Sequence, residues 1–273
     1  MARPPLSKDT RLCISLAARP SNIGTRFHNH LYEELGLDYL YKAFTTTDIA
    51  AAIGGVRALG IRGCSVSMPF KSDVMALVDE VEPSARVIES VNTIVNDDGY
   101  LRASNTDFLA VQQLIASNQL DPDGTVVVKG SGGMASAVAS AFRDSGFGSG
   151  VIVARNAETG RTLADRLGYD YASELGSLRA AVLVNVTPIG MSGGPEEAQQ
   201  AFDDDAIAKA DTVFDVVALP SETPLITAAR AAGIAVITGA EVIALQAAEQ
   251  FERYTGVRPS AEQIAEASAV SRA

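Results

Sequence analysis

Apolar positions along the chain recur with two different periods, and the two alternate. "RLCISLA" (11–17), "YLYKAF" (39–44) and "IRGCSVSM" (61–68) are short runs dense in aliphatic, aromatic and β-branched residues, which predicts strands. Between them, "GTRFHNHLYEELGL" (24–37) places apolar residues at helical spacing and stops near a glycine. "DIAAAIGGVRALG" (48–60) predicts a second helix opened by Asp48 as its N-cap. Strands alternating with helices predict a parallel sheet covered by helices on its faces.

Further on the rhythm changes and then resumes. "VNTIVN" (91–96) and "YLRASN" (100–105) flank Asp97-Asp98-Gly99, a strong hairpin turn signal. "DFLAVQQLIASNQL" (107–120) reads as an amphipathic helix, and "DPDG" (121–124) after it marks a boundary. A second series follows, with strands "TVVVKG", "GVIVARN", "AAVLVNV", "TVFDVV" and "AVITG", and helices "MASAVASAFRDSG", "AETGRTLADRLG" and "TPLITAARAAG". The last segments, 241–256 and 260–272, are helical with no strand left to pair, so they are expected to pack back on an earlier part. The expected architecture is α/β in two domains: residues 1–106 completed by 241–273, and residues 107–240.

Composition narrows the class of partner. The formal net charge of −11 disfavours wrapping nucleic acid or lying on an anionic membrane, since both are polyanions. Two distant cysteines, Cys13 and Cys64, make neither a disulfide framework nor a zinc site and read as buried free thiols. With no apolar run long enough for a signal peptide or a membrane span, a cytoplasmic protein handling a small molecule is expected. His28 and His30, two apart on a helix, read as a polar helix face, and no metal is expected.

Candidate chemistry begins at "VVVKGSGGMASAV", where Gly130, Gly132 and Gly133 stand between a strand and a helix in the form G-x-G-G-x-A. Glycines there let backbone approach a pyrophosphate, and the helix N-terminus supplies amide donors, so a dinucleotide is expected. After the next strand an NAD site would carry an acidic residue for the ribose hydroxyl, whereas this chain has Ala154-Arg155-Asn156. The Arg155 fork suits a 2′-phosphate, which favours NADP, and Arg161 one turn on can assist.

"SVSMPFK" (65–71), "SVNTIV" (90–95), "NTD" (105–107), "GSGGMA" (130–135), "NVTPIGM" (185–191), "TPLI" (223–226) and "ALQAAEQF" (244–251) together resemble the shikimate dehydrogenase family across essentially the whole chain. The resemblance implies a substrate domain and an NADP-binding Rossmann-like domain, with the C-terminal helices returning to the former. It further implies Lys71 as proton acceptor with Asp107 as its partner, and Asn22, Ser67, Asn92 and Gln246 as substrate contacts. Cofactor contacts fall on Gly130, Ser131, Gly132, Gly133, Met134, Ala135, Arg155, Asn156, Thr187, Val216 and Gly239. Pro69 is expected to end the strand and set the approach to a helix beginning near Lys71.

The match departs from the family at the loop that usually holds a substrate carboxylate through a serine pair. Counted back from His28-Asn29, those positions are Asn22 and Gly24, with Ser21 and Thr25 beside them. A tyrosine near the substrate becomes Ala218, and Glu241 stands in a segment usually rich in glycine. The chain thus resembles the divergent shikimate dehydrogenase-like branch. The implied reaction is NADP-linked interconversion of 3-dehydroshikimate and shikimate; the other readings are a related ring acid such as quinate, or a sensor that holds NADP without turnover.

Overall fold

The computed structural model describes residues 3–176 and 178–272, which form two compact units. The first runs to Thr106 and resumes at Ala244, and the second is Asp107–Ile243.

In the first unit, strand β1 (Arg11–Ala17) leads through helix α1 (Ile23–Glu34) to β2 (Tyr39–Thr45), and α2 (Ile49–Ala58) leads to β3 (Gly63–Val66). Asp48 caps α2 by accepting from the Ala51 amide at 2.9 Å, as its position before the apolar run predicts. A 3-10 turn at Asp73–Ala76, strand β4 (Glu80–Val81) and the short helix α3 (Pro83–Arg86) precede the hairpin of β5 (Thr93–Asp97) and β6 (Tyr100–Ser104). Asp98 and Gly99 both have positive φ, 52° and 94°, the backbone that a two-residue turn between twisted strands requires.

The sheet order is β2-β1-β3-β5-β6-β4, with β1 parallel to both β2 and β3. Alternating residues of β1 feed opposite faces. Ile14 and Leu16 join Ile53, Val56 and Ile61 on the α2 side, whereas Cys13 joins Phe27, Leu31 and Tyr41 on the α1 side. Burial on both faces removes enough apolar surface to fix the register, because a one-residue slip would exchange the two sets. Cys13 and Cys64 are buried free thiols, and burial pushes the Cys13 thiol up to about 12.

Helix α4 (Thr106–Ser117) opens the second unit, followed by β7 (Val126–Lys129), α5 (Gly133–Asp144), β8 (Gly150–Val153), α6 (Ala157–Leu167) and β9 (Asp170–Ala172). Then come β10 (Val182–Asn185), α7 (Asp204–Ile207), β11 (Thr212–Asp215), α8 (Pro224–Ala231) and β12 (Ala235–Thr238). All pairings are parallel in the order β12-β11-β10-β7-β8-β9, a doubly wound sheet. Val126, Val127 and Val128 are each 0% exposed, which explains why β7 reads as an unbroken apolar run rather than an alternating one.

The final helices are α9 (Gly239–Thr255) and α10 (Ala261–Arg272). Ala247, Ala248, Phe251 and Tyr254 of α9 and Ala267 of α10 complete the cluster on the α1 face of the first sheet. Glu241 accepts from the Thr238 amide at 2.8 Å and from its hydroxyl at 2.7 Å, the glutamate half of a capping box at the start of α9. No described helix is long and apolar enough to cross a membrane.

Candidate active site

In the first sheet the chain leaves β1 for β2 on one side and returns to β3 on the other, so the loops after β1 and β3 part at the carboxyl ends of those strands. The first loop carries Asn22 and Gly24, and the second carries Ser67 and Lys71. They are laced together by Ser67 N donating to Leu16 O at 2.9 Å and Ala18 N to Met68 O at 3.3 Å. Strand β3 ends at Val66 and the 3-10 turn starts at Asp73, so Pro69 lies inside a loop and no helix begins at Lys71. That loop is anchored by Val91 N donating to Lys71 O at 2.8 Å, which sets Lys71 beside Asn92.

Asn92 is the hub of a buried polar network. Its Oδ1 accepts from the Thr106 amide at 2.8 Å, from Thr93 Oγ1 at 2.8 Å and from Thr106 Oγ1 at 3.1 Å. Gln246 Oε1 lies 3.4 Å from Thr106 Oγ1, and Gln250 Nε2 donates to Thr93 Oγ1 at 3.0 Å and to Ser65 Oγ at 3.4 Å. Three donors on Asn92 Oδ1 fix the orientation of that carboxamide within the network. Asp107 follows Thr106 at the start of α4. Thus Lys71, Asn92 and Gln246 belong to one neighbourhood of the first unit, and Ser67 and Asn22 sit exposed on the two loops.

His28 is not part of a polar helix face. It is 0% exposed, stacked on Tyr41 at 4.3 Å between ring centroids, with Phe27, Phe251 and Tyr254 around it. Burial lowers its pKa to about 3, with Gln250 opposing part of that shift. The i, i+2 spacing carries no trace of the aromatic side chains that β2 and α9 bring onto that face. His30 is half-buried and lies 3.8 Å from Glu34 and 3.7 Å from Glu266. Next to His28 in sequence, Asn29 donates to Tyr41 O at 2.8 Å and accepts from Tyr41 N at 3.0 Å, tying α1 to β2.

In the second unit the switch of strand order lies between β7 and β10, and a cavity of about 500 Å³ opens there. Its lining includes Gly130, Ser131, Gly132, Arg155, Asn156 and Thr187. Gly130 has φ +133°, and a Cβ on it would stand 3.0 Å from Val186 O, so no other residue turns the chain here without strain. A Cβ on Gly132 or Gly133 would meet nothing within 4 Å, so that side of the α5 N-terminus is open. Ala135 is 0% exposed and packs the helix down.

Arg155 is 84% exposed at the side chain and 3.7 Å from Glu196. Asn156 accepts from the amides of Glu158 and Thr159 as the N-cap of α6, and Arg161 lies 4.6 Å over the Tyr171 ring. Asn185 accepts from the Thr187 hydroxyl at 2.6 Å and donates to Asp215 at 3.0 Å; burial raises the Asp215 carboxyl against the bonds it receives. Gly239 is fixed by close approach, because a Cβ there would stand 2.3 Å from Val216 O. Three charged lining residues were missed in the sequence: Lys129, whose pKa burial lowers and which donates to Ala201 O, Glu174 and Glu196. Lys129 directly precedes the glycine loop, and that placement is the signal that could have found it.

A family model described as the shikimate dehydrogenase substrate binding domain matches residues 22–94. The chain is 58% identical to a shikimate dehydrogenase-like protein of Haemophilus influenzae over 98% of each chain. It is 36% identical to the shikimate dehydrogenase (NADP(+)) of Chlorobium phaeobacteroides over 87% of this chain and 88% of that one. A solved structure of a shikimate 5-dehydrogenase-like protein superposes with a TM-score of 0.97 at 58% identity, covering 98% of this chain and all of that one, 100%. The Thermus thermophilus shikimate 5-dehydrogenase, solved with NADP(H) and shikimate, gives 0.86 at 27% identity, covering 96% and 99%. With its two α/β units, the Asn92 network and the glycine-turned cavity, the chain belongs to the shikimate dehydrogenase family.

Proposed function

We propose that this chain is an NADP-dependent dehydrogenase that interconverts a ring hydroxyl and its ketone, with shikimate and 3-dehydroshikimate as the reference pair. The observation that supports the reading is the backbone bond from Val91, the residue before Asn92, to Lys71, with Asp107 next in sequence to Thr106 of the Asn92 network. Asn92 and Gln246 present amide donors for substrate hydroxyls. Lys71 takes the hydroxyl proton as the carbinol is oxidised and returns it in reduction, and the Asp107 carboxylate orients the ammonium.

The open glycines at the α5 N-terminus fit a pyrophosphate, and Arg155 at the cavity fits a 2′-phosphate. When bound, NADP supplies the hydride acceptor that this chemistry needs. Named relatives point the same way, one being an NADP(+) enzyme and another solved with NADP(H) and shikimate.

Replacing Lys71 with alanine tests the reading. Turnover should fall by roughly two to four orders of magnitude, the usual scale for losing a general base, while NADPH affinity stays unchanged. Unchanged turnover removes Lys71 from the chemistry. A second acid, quinate, stays in view because the loop at Asn22 and Gly24 differs from the family pattern, and a Corynebacterium glutamicum quinate dehydrogenase shares the fold at 26% identity.

A further inference from the structure

We infer that Lys129 is a second phosphate-binding cation of the cavity in the second unit, and that Lys129, not Arg161, joins Arg155 in selecting a dinucleotide that carries a 2′-phosphate. The inference rests on the NADP reading above and deepens it. Lys129 ends the buried run of β7, in register with Val153 of β8 and Asn185 of β10, and it lines the cavity of about 500 Å³ beside Gly130.

An ammonium held there is under-compensated. The three residues before it are fully buried valines, Lys129 itself is half-buried, and burial lowers its pKa. Its ammonium donates to the Ala201 carbonyl and stands 5.3 Å from the centre of the Phe202 ring. Among the described residues no carboxylate forms an ion pair with it; Glu196 and Asp203 act on it from farther away, and Arg155 opposes them. One carbonyl and a ring leave a lysine short of partners, because it carries three donors and a full charge. An anion entering the cavity supplies what is missing.

The charge balance of the cavity leads to the same assignment. Its charged lining residues are Lys129, Arg155, Glu174 and Glu196, two cations and two carboxylates. Without Lys129, Arg155 alone would face both carboxylates, one of them 3.7 Å from it. A phosphate monoester with about 1.5 to 2 negative charges would then meet a net negative wall. Lys129 brings that wall to neutrality and gives the phosphate two cations. Arg161 does not fill this part, since its guanidinium lies over the Tyr171 ring at 4.6 Å and neither residue lines the cavity.

Adenosine 2′,5′-bisphosphate and 5′-AMP differ only in the 2′-phosphate and carry no nicotinamide, so their binding, read by titration calorimetry, is independent of turnover. The unaltered protein should bind the bisphosphate more tightly. Lys129→Gln keeps a donor for the Ala201 carbonyl and removes the charge. It should weaken the bisphosphate by about tenfold to a hundredfold, the scale of a charge-assisted hydrogen bond, and change 5′-AMP by less than about twofold. Lys129→Arg should retain most of the preference, and Arg161→Gln should leave it unchanged. Lys129→Met, which keeps the apolar stem, is read in the same way should the glutamine variant fail to fold. Unchanged binding of both nucleotides in Lys129→Gln overturns the inference, and so does equal weakening of both, which makes Lys129 a tether for the segment at Ala201. If Arg155→Ala abolishes the preference while Lys129→Gln keeps it, the NADP reading stands and this inference falls; if the unaltered protein shows no preference, both fall.

Discussion

The ion pair between Arg155 and Glu196 spans 3.7 Å with the guanidinium 84% exposed, and an exposed pair of this kind contributes between nothing and about 1 kcal/mol to stability. Its interest lies in competition. A 2′-phosphate arriving at Arg155 must share the guanidinium with Glu196 or displace it, and the two anions repel. Arg155→Ala should weaken NADP by about 1.5 to 3 kcal/mol, the scale of a charge-assisted hydrogen bond, and leave NAD nearly unchanged. Glu196→Gln should strengthen NADP by a few-fold, since roughly 1 kcal/mol is all that an exposed pair can withhold. Fluorescence titration with both cofactors measures this directly, and equal weakening of NADP and NAD in Arg155→Ala would assign the side chain to adenine stacking or to the fold. Arg155 was legible because its position after β8 is fixed by the glycine loop. Glu196 was not, because it arrives from a long segment after β10 whose path no periodicity predicts.

Helix α1 shows what periodicity conveys and what it leaves out. Its span and its buried face follow from the spacing of Phe27, Leu31 and Tyr32, and the turn at Asp98-Gly99 and the cap at Asp48 were equally readable from local chemistry. The character of His28 was not, since it depends on Tyr41 from β2 and on Phe251 and Tyr254 from α9, more than 200 residues away. The two-residue strand β4 and the single turns α3 and α7 are too short to carry a period at all. The role of Glu241 is written in local chemistry, because Thr-x-x-Glu before an apolar run lets the carboxylate reach back to the amide of the threonine.

A pH dependence of stability follows from the same helix. The unfolded His28 protonates near 6.5 and the folded one near 3, so between those values the unfolded state holds a proton that the native state lacks. Stability therefore rises with pH through that window and is lost as pH falls below 6.5, at about 1.4 kcal/mol per unit. Between pH 7.5 and 5 the loss from this group should reach about 2 kcal/mol. His28→Phe keeps a ring in the cluster and should abolish that increment. Denaturant unfolding followed by tyrosine emission, unobscured because the chain has 0 tryptophans, reads it at both pH values. An acid loss of the same size in the variant would place its origin in other groups.

At the scale of the molecule, the chain passes between its two units at Thr106–Asp107 and again at Ile243–Ala244, and both passages lie inside helices, α4 and α9. Residues at these passages are buried, Asn105 at 1%, Thr106 at 0% and Val242 at 2% exposed, so neither is a loose linker of the usual kind. A protease needs several residues of extended, accessible backbone, and a helix supplies them only by unfolding locally. The largely exposed stretch 191–199 is held only by turns, with no helix or strand to unfold, so it opens into such backbone more readily. Dilute broad-specificity protease should therefore cut first within 191–199, leaving 105–108 and 242–245 intact until the protein as a whole unfolds. NADPH should slow the first cut, because Glu196 lines the cavity in which the cofactor is proposed to bind, and a ligand of the first unit alone should not. Mass spectrometry of the early fragments distinguishes the outcomes: a first cut at either passage would mean that the helices open there, and a first cut in 191–199 that is indifferent to NADPH would move the cofactor away from that cavity.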